Sequence, residues 1–235
     1  KTLAATEVMT DKGQRSLLHE VDAISSVSGG SFTSAYYGLR GDKIFEEFED
    51  RFLRKNVEGA LIRQVLSPIN WIPQMSPAFG RGDVAAEYYS KHIFDGATFA
   101  DLKRPGAPVV VINATDLATG MRFSFTEAYF DLLCADLDQY PLARAVTASS
   151  AVPVLFTPIT VKSYAGTCGF EPPAWFKEAA KDAWGSPPKA YARGLSSYMH
   201  YKKRPWIHLV DGGIADNLGL RSFYTTFSLQ GDPRQ

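Results

Sequence analysis

The chain has 235 residues, of which 45% are hydrophobic and 21% charged, an ordinary composition for a globular protein. It carries 25 Lys and Arg against 25 Asp and Glu, so its net charge is zero and no overall field attracts nucleic acid. No apolar run approaches the roughly 18–20 residues that span a bilayer. Residues 1–15 also lack the apolar stretch of a signal peptide. Any membrane contact would therefore depend on local apolar surface.

The first third of the chain predicts one strand, two helices and a loop. A short buried strand is predicted within residues 16–28, and a helix over residues 31–39 follows it. Residues 45–65 carry apolar side chains at helical spacing and predict one long amphipathic helix. Residues 67–84 hold three prolines and predict a loop.

The remainder predicts strands interleaved with helices. Residues 108–114 and 206–210 are short apolar strands, residues 121–125 alternate as a half-buried strand, and residues 142–151 predict a helix of small residues. Residues 171–204, with four prolines and many charges, predict an insertion outside the core. This order of elements predicts an α/β fold with a central, mostly parallel sheet.

Ser28 is the first candidate catalytic residue. It lies in the run Ser-Val-Ser-Gly-Gly (residues 26–30), where a predicted buried strand ends and a predicted helix begins. Small residues on both sides, such as Gly30, permit the sharp turn of a nucleophile elbow, which exposes a serine hydroxyl. The N–H of Gly29 and the positive end of the helix would then face a developing oxyanion. The alternative is a helix-capping serine in a Ser/Gly-rich loop.

Asp211 is the second candidate, because Asp211-Gly212-Gly213 directly follows the strand of residues 206–210. In a parallel sheet the carboxyl ends of the strands share one edge. A carboxylate at that edge can reach the Ser28 hydroxyl and act as its base. The alternative is a turn aspartate that caps the two glycines.

Together these motifs resemble the patatin-like phospholipases, in particular bacterial-type patatin-like acyl hydrolases. Residues 26–30 correspond to the family's G-x-S-x-G and residues 211–213 to its D-G-G/A. Residues 113–120 and 145–153 resemble its intervening blocks, in the same order. The resemblance implies a three-layer α/β fold whose mostly parallel sheet is flanked by helices. It also implies a lipid acyl hydrolase with a Ser28–Asp211 dyad and an acyl-enzyme, without metal or organic cofactor.

Two features depart from the family pattern. Position 26 is Ser where the family usually has Gly, and the family's glycine-rich oxyanion loop would lie upstream of the given sequence, because Gly13 is the only glycine before the elbow. We therefore expect residues 1–235 to form a single patatin-like domain, truncated at its N-terminus. Gly29 would supply one oxyanion donor, which leaves these residues alone short of a second.

Two other functions fit the same residues. One is an α/β-hydrolase esterase with a Ser-acid-His triad, in which His200 or His208 is the base. His208 lies within an apolar strand, which favours a structural histidine. The other is a non-catalytic binding module that retains the patatin fold, because a fold does not determine an activity.

Cys134 and Cys168 lie in loop-like contexts, and no histidine has zinc-ligand spacing from either. Two buried thiols and one disulfide both remain open. A bridge would favour an exported protein, so the location stays open between an exported and a membrane-associated protein of a bacterium.

The expected partner is a lipid or acyl-ester substrate, with peripheral membrane contact and no nucleic acid. Residues 67–79 contain Trp71, Ile72, Met75 and Phe79 in a proline-rich segment. These side chains either fold onto the core or form a flap that contacts lipid at the mouth of an acyl pocket.

Overall fold

The computed structural model describes residues 1–11, 13–66, 80–153, 156–179, 181 and 187–224. The strands, in chain order, are β1 (Glu7–Thr10), β2 (Gly13–Ser16), β3 (Ala23–Val27), β4 (Val109–Asp116), β5 (Arg122–Phe125), β6 (Ile159–Lys162) and β7 (Trp206–Val210). The helices are α1 (Thr2–Ala5), α2 (Gly29–Arg40), α3 (Ile44–Phe48), α4 (Val57–Leu66), α5 (Arg81–His92), α6 (Glu127–Leu132), α7 (Leu142–Ser149), α8 (Ala174–Ala179), α9 (Pro187–Ser196) and α10 (Gly213–Asp216).

The central sheet is mixed. β3 pairs with β4 in parallel, whereas β5 and β7 pair with β4 antiparallel, and β6 pairs antiparallel with β7. Three strands therefore share one direction and two run against it. β3, β4 and β6 have the expected common direction, and β5 and β7 depart from it. β1 and β2 form a separate antiparallel hairpin.

The register places β3 and β7 on the same side of β4. Thr115 of β4 pairs with Arg122 of β5 and also with Val210 of β7, so β5 and β7 lie on opposite sides of β4. Asn113 likewise pairs with β5 on one side and with Val27 of β3 on the other. β3 and β7 therefore lie end to end along β4, with their carboxyl ends facing each other across the position of Ala114.

Helices cover both faces of the sheet, which gives the three-layer α/β fold. On one face, the buried side chains of Val110 and Ile112 point towards α2, and Gly38 permits close contact because a Cβ there would lie 2.7 Å from Val110 Cγ2. On the other face, Val111 lines an apolar cavity of about 680 Å³ with Tyr191 and Leu195 of α9. The core therefore lies on both sides of β4.

Two predicted elements differ from the structure. Residues 45–65 form two helices rather than one, because Asn56 begins a new helix: its Oδ1 accepts from the N–H of Gly59 at 2.9 Å. The described part of residues 171–204 contributes to the core instead of forming an insertion outside it. Leu195 of α9 and Tyr198 just after it are buried there, whereas Arg193 of α9 is exposed.

Asp116 attaches this last segment to the end of β4. The Asp116 carboxylate is fully buried and accepts from Arg204 at 2.7 Å and from the Tyr198 hydroxyl at 3.0 Å. Burial, together with the neighbouring Asp116, raises the pKa of the Tyr198 hydroxyl well above its usual value. Within the described part of the chain, no helix has the length and apolar character needed to cross a membrane.

Candidate active site

Ser28 occupies a sharp turn between β3 and α2. Its φ of 52° and ψ of −132° lie outside the regions that side-chain-bearing residues normally adopt, so the surrounding structure must hold this conformation. The turn directs the Ser28 hydroxyl to Asp211, whose Oδ2 accepts from Ser28 Oγ at 2.7 Å. The two residues are separated by 183 positions in the chain.

Asp211 is held at both carboxylate oxygens and along its backbone. Its side chain is largely buried, and the oxygen that does not contact Ser28 accepts from the N–H of Gly213 at 2.7 Å. The Asp211 N–H donates to the carbonyl of Ala151 at 3.0 Å, and its carbonyl accepts from the Thr115 hydroxyl at 2.8 Å. The orientation of the carboxylate is therefore fixed by contacts other than the one with the serine.

The end-to-end arrangement of β3 and β7 explains why these side chains meet. β3 ends opposite Asn113, and β7 ends opposite Thr115. The residue after each strand, Ser28 or Asp211, therefore reaches the same point along β4. The sequence predicts a parallel sheet in which both strands end at a common edge. The structure brings the same two residues together by a different route, in which β7 runs against β4.

The two glycines after Asp211 have distinct roles. A Cβ on Gly212 would lie 2.3 Å from the carbonyl oxygen of Asn113, so a side chain cannot fit there. The N–H of Gly212 donates to the carbonyl of Ser149, and the N–H of Gly213 donates to Asp211 Oδ1. Neither N–H group therefore points towards an oxyanion. Both glycines belong to the turn that presents Asp211.

Gly29 and Gly30 form the first turn of α2. Their N–H groups precede the point at which carbonyls of the same helix become available as acceptors. A Cβ on either residue would meet no other atom within 4 Å, so open space adjoins this turn.

Ser26, where the family usually has glycine, fits because Ser34 of α2 and β4 provide hydrogen-bond partners for its hydroxyl. The Ser26 hydroxyl accepts from Ser34 Oγ at 2.6 Å and donates to Val111 O at 3.3 Å. Ser26 is buried, and these bonds satisfy its hydroxyl. The departure at position 26 is therefore accommodated within the turn.

Sequence reasoning missed Ser149 and Asn113 as individual site residues, although both lie in the quoted family-like blocks. Ser149 Oγ accepts from the N–H of Ser28 at 2.9 Å and donates to the carbonyl of Asn113 at 2.6 Å. The Asn113 side chain donates to Ser25 Oγ at 2.9 Å and accepts from Ser124 and Ser222. Polar residues in otherwise apolar, buried elements were the available indication of these positions.

The four histidines lie elsewhere. His208 is exposed, and its Nδ1 is 3.0 Å from the Thr160 hydroxyl. His19 pairs with Asp42, and His92 and His200 are exposed on the surface. Among the residues that the structure describes, no group of three or more His, Cys, Asp or Glu side chains is arranged to hold a metal ion.

The structure joins Cys134 and Cys168 in a disulfide, with Cα atoms 5.5 Å apart. This resolves the alternatives that the sequence left open for the two thiols. Next to the bridge, the N–H of Tyr164 donates to the carbonyl of Leu133 at 2.7 Å. The predicted lipid-contacting residues lie outside the described part of the chain, namely Trp71, Ile72, Met75 and Phe79.

Comparison with known families gives one assignment. The sequence model of the family described as patatin-like phospholipase matches residues 3–224, which include Ser28, Asp211 and both intervening blocks. No curated protein and no solved structure has significant similarity to the chain. The family acts on lipids as an acyl hydrolase, which places lipid ester hydrolysis as the general class of activity. The chain belongs to the patatin-like phospholipase family.

Proposed function

We propose that the chain cleaves fatty acyl esters of lipids, with Ser28 as nucleophile and Asp211 as general base. The observation that carries the proposal is the 2.7 Å hydrogen bond from Ser28 Oγ to Asp211 Oδ2. A carboxylate in direct contact with a serine hydroxyl can take its proton while the oxygen attacks a carbonyl carbon. The strained backbone of Ser28 supports the same role, because such strain is often stored at functional sites.

In the proposed reaction, Asp211 transfers protons between Ser28, the departing alcohol and water. Ser28 Oγ attacks the ester carbonyl carbon while Asp211 takes the hydroxyl proton. Collapse of the tetrahedral intermediate breaks the ester C–O bond, and Asp211 gives the proton to the departing alcohol oxygen. Water then attacks the acyl-enzyme with Asp211 again as base, and the fatty acid leaves as Ser28 regains its proton.

The start of α2 provides the stabilisation of negative charge in this scheme. The Ser28 N–H donates to the Ser149 hydroxyl, so the N–H of Gly29 is the next donor along the turn. α2 has 12 residues, and its positive dipole end adjoins the same space. A preorganised donor of this kind is worth roughly 10²–10³ in turnover.

Peripheral contact with aggregated lipid is part of the proposal. Ile214 and Leu218, both well exposed, follow Asp211 closely in the chain. Leu218 lines a cavity of about 610 Å³ together with Val27 and Gly30, on either side of Ser28. Exposed apolar side chains next to a polar reaction centre suit a substrate with an apolar tail and a polar ester.

Covalent labelling with a fluorophosphonate tests the proposal. We expect the probe to phosphonylate one serine, located at Ser28 by peptide mass spectrometry, because the probe reacts with base-activated serines. Ser28→Ala should remove the label. Ser196→Ala is the matched control, since the Ser196 hydroxyl bonds within its own turn to Arg193 O, and it should label like the wild type.

Two outcomes would overturn the assignment. A wild-type protein that is folded but takes no label is the result expected of a non-catalytic binding module. Labelling that persists at another serine in the Ser28→Ala variant would place the nucleophile elsewhere.

A further inference from the structure

Ser149 is a buried residue at the C-terminal end of α7, and its side-chain hydroxyl makes three contacts. The Ser28 N–H lies 2.9 Å away, the Asn113 carbonyl oxygen 2.6 Å and the Ser31 hydroxyl 2.9 Å. Ser149 has no exposed surface. These contacts link the helix to the elbow and to β4 at the same atom.

A proton count fixes the direction of the bonds to Asn113 and Ser28. A serine hydroxyl has one proton and two acceptor positions. The carbonyl of Asn113 can only accept, so Ser149 gives its proton there and accepts from the Ser28 N–H. Its second acceptor position faces the Ser31 hydroxyl, which also lies 3.3 Å from Ser26 Oγ. All hydrogen-bonding positions of Ser149 Oγ then face a neighbouring group, and the hydroxyl cannot rotate without losing a partner.

The backbone of the same residue contacts the other half of the dyad. The carbonyl of Ser149 accepts from the N–H of Gly212 at 3.0 Å, next to Asp211. The side chain of Ser149 therefore binds the peptide nitrogen of Ser28. Its main-chain carbonyl binds the turn that follows Asp211.

From this geometry we infer that Ser149 is a positioning residue, which sets the separation of the Ser28 hydroxyl and the Asp211 carboxylate. The inference rests on the proposed function. It assigns a role to the block of residues 145–153, which contains neither of the two proposed catalytic residues. Anchoring of the Ser28 N–H also leaves the Gly29 N–H, rather than that of Ser28, to face the oxyanion.

Removing the hydroxyl tests the inference. Ser149→Ala should lower kcat on a short soluble p-nitrophenyl ester about 10- to 100-fold, because displacement of a reacting group by about 1 Å costs on the order of 10² in rate. KM should stay within about twofold, since Ser149 lies beneath the turn. The rate of fluorophosphonate labelling at Ser28 should fall in parallel with kcat.

Thr147→Val is the matched control on the same helix. Thr147 is buried, and its hydroxyl bonds to Ala143 O at 2.7 Å within α7, so the variant also loses one buried hydroxyl. We expect kcat within about twofold of the wild type. Ser149→Thr keeps the hydroxyl and should recover kcat to within about threefold of the wild type.

The inference is overturned if folded Ser149→Ala has a kcat equal to that of Thr147→Val, or if folded Ser149→Thr is as slow as Ser149→Ala. Should Ser149→Ala not fold, Ser149→Cys takes its place, because sulfur is a weak acceptor for the Ser28 N–H. A wild-type kcat in Ser149→Cys would also overturn the inference. A wild-type protein that takes no label contradicts the proposed function instead.

Discussion

At the scale of residues, both side-chain hydroxyls and main-chain groups hold the Ser28–Asp211 pair in place. One carboxylate oxygen of Asp211 accepts a hydrogen bond from the Gly213 N–H, and the other accepts one from the Ser28 hydroxyl. Ser28 keeps a left-handed backbone because its N–H is bonded to Ser149. The pair is thus preorganised, as the proposed role of Asp211 as general base requires.

Asp211→Asn should lower kcat by about 10²–10⁴-fold, the usual contribution of a general base. Asparagine keeps the shape, and its oxygen can still accept from Gly213, but its NH₂ group then faces Ser28 and cannot accept the proton. His208→Gln is the control and should keep kcat within about threefold, because the exposed ring bonds to Thr160. Kinetics on a soluble ester and thermal unfolding of both variants provide the measurement. Equal losses with equal unfolding temperatures would instead favour a Ser-acid-His triad.

The sequence predicts Ser28 and Asp211 as the catalytic pair, since each follows an apolar strand and adjoins two glycines, and the structure has their side chains in hydrogen-bond contact. It could not select Ser149 or Asn113, because their role depends on packing between segments far apart in the chain. A serine in a run of small residues has the same local pattern whether it bonds within its helix, as Ser150 does, or to another segment. Hydrogen-bond partners at long range leave no trace in local periodicity.

At the scale of elements, strand direction was the part that the sequence could not give. β7 is five residues long and apolar, and nothing in such a short run distinguishes a parallel from an antiparallel neighbour. Its bounds were predicted because the run ends at Asp-Gly-Gly. The division between α3 and α4 was missed, because the apolar spacing continues across Asn56 while its capping side chain restarts the helix.

The short segment after β7 gives an element-scale prediction about lipid contact. Leu218→Ser should weaken hydrolysis of lipid vesicles about fivefold or more, while activity on a short soluble ester stays within about twofold, because the loss of apolar contact affects adsorption. Leu218 is 75% exposed, and Gly219 next to it is anchored by the Ser25 hydroxyl.

Leu53→Ser is the control for this measurement. Leu53 is 64% exposed and lies two positions after Arg51. Arg51 and Arg40 both pair with Asp95, and Arg40 is at the opposite end of α2 from Ser28. Vesicle adsorption by sedimentation should change with Leu218→Ser and not with Leu53→Ser. If Leu218→Ser slowed both substrates equally, the segment would have no role at a lipid surface.

At the scale of the whole molecule, the disulfide adds a covalent link between parts separated by 34 residues. Replacing both cysteines by serine should lower the free energy of unfolding by roughly 2–4 kcal/mol, because the open chain gains conformational entropy. Urea unfolding followed by fluorescence measures the change. Reductant should lower the free energy of unfolding of the wild type by a similar amount and leave that of the double variant unchanged.

The bridge also bears on location, because disulfides persist in oxidising compartments. We expect the protein to be exported and to carry no free thiol when isolated from its cell without reductant. Thiol alkylation followed by mass spectrometry measures this directly. Modification of Cys134 and Cys168 without prior reduction would contradict both the link and the export.

The head-on meeting of β3 and β7 has a consequence for protein synthesis. Ser28 leaves the ribosome 183 residues before Asp211, which at about 5–20 residues per second is a delay of roughly 10–40 s. During that time β4 can already pair with β3, yet the position that β7 will occupy along β4 stays empty. The nascent chain therefore carries a serine hydroxyl without its carboxylate, and under the proposed mechanism it cannot attack the lipids of its own cell until β7 docks.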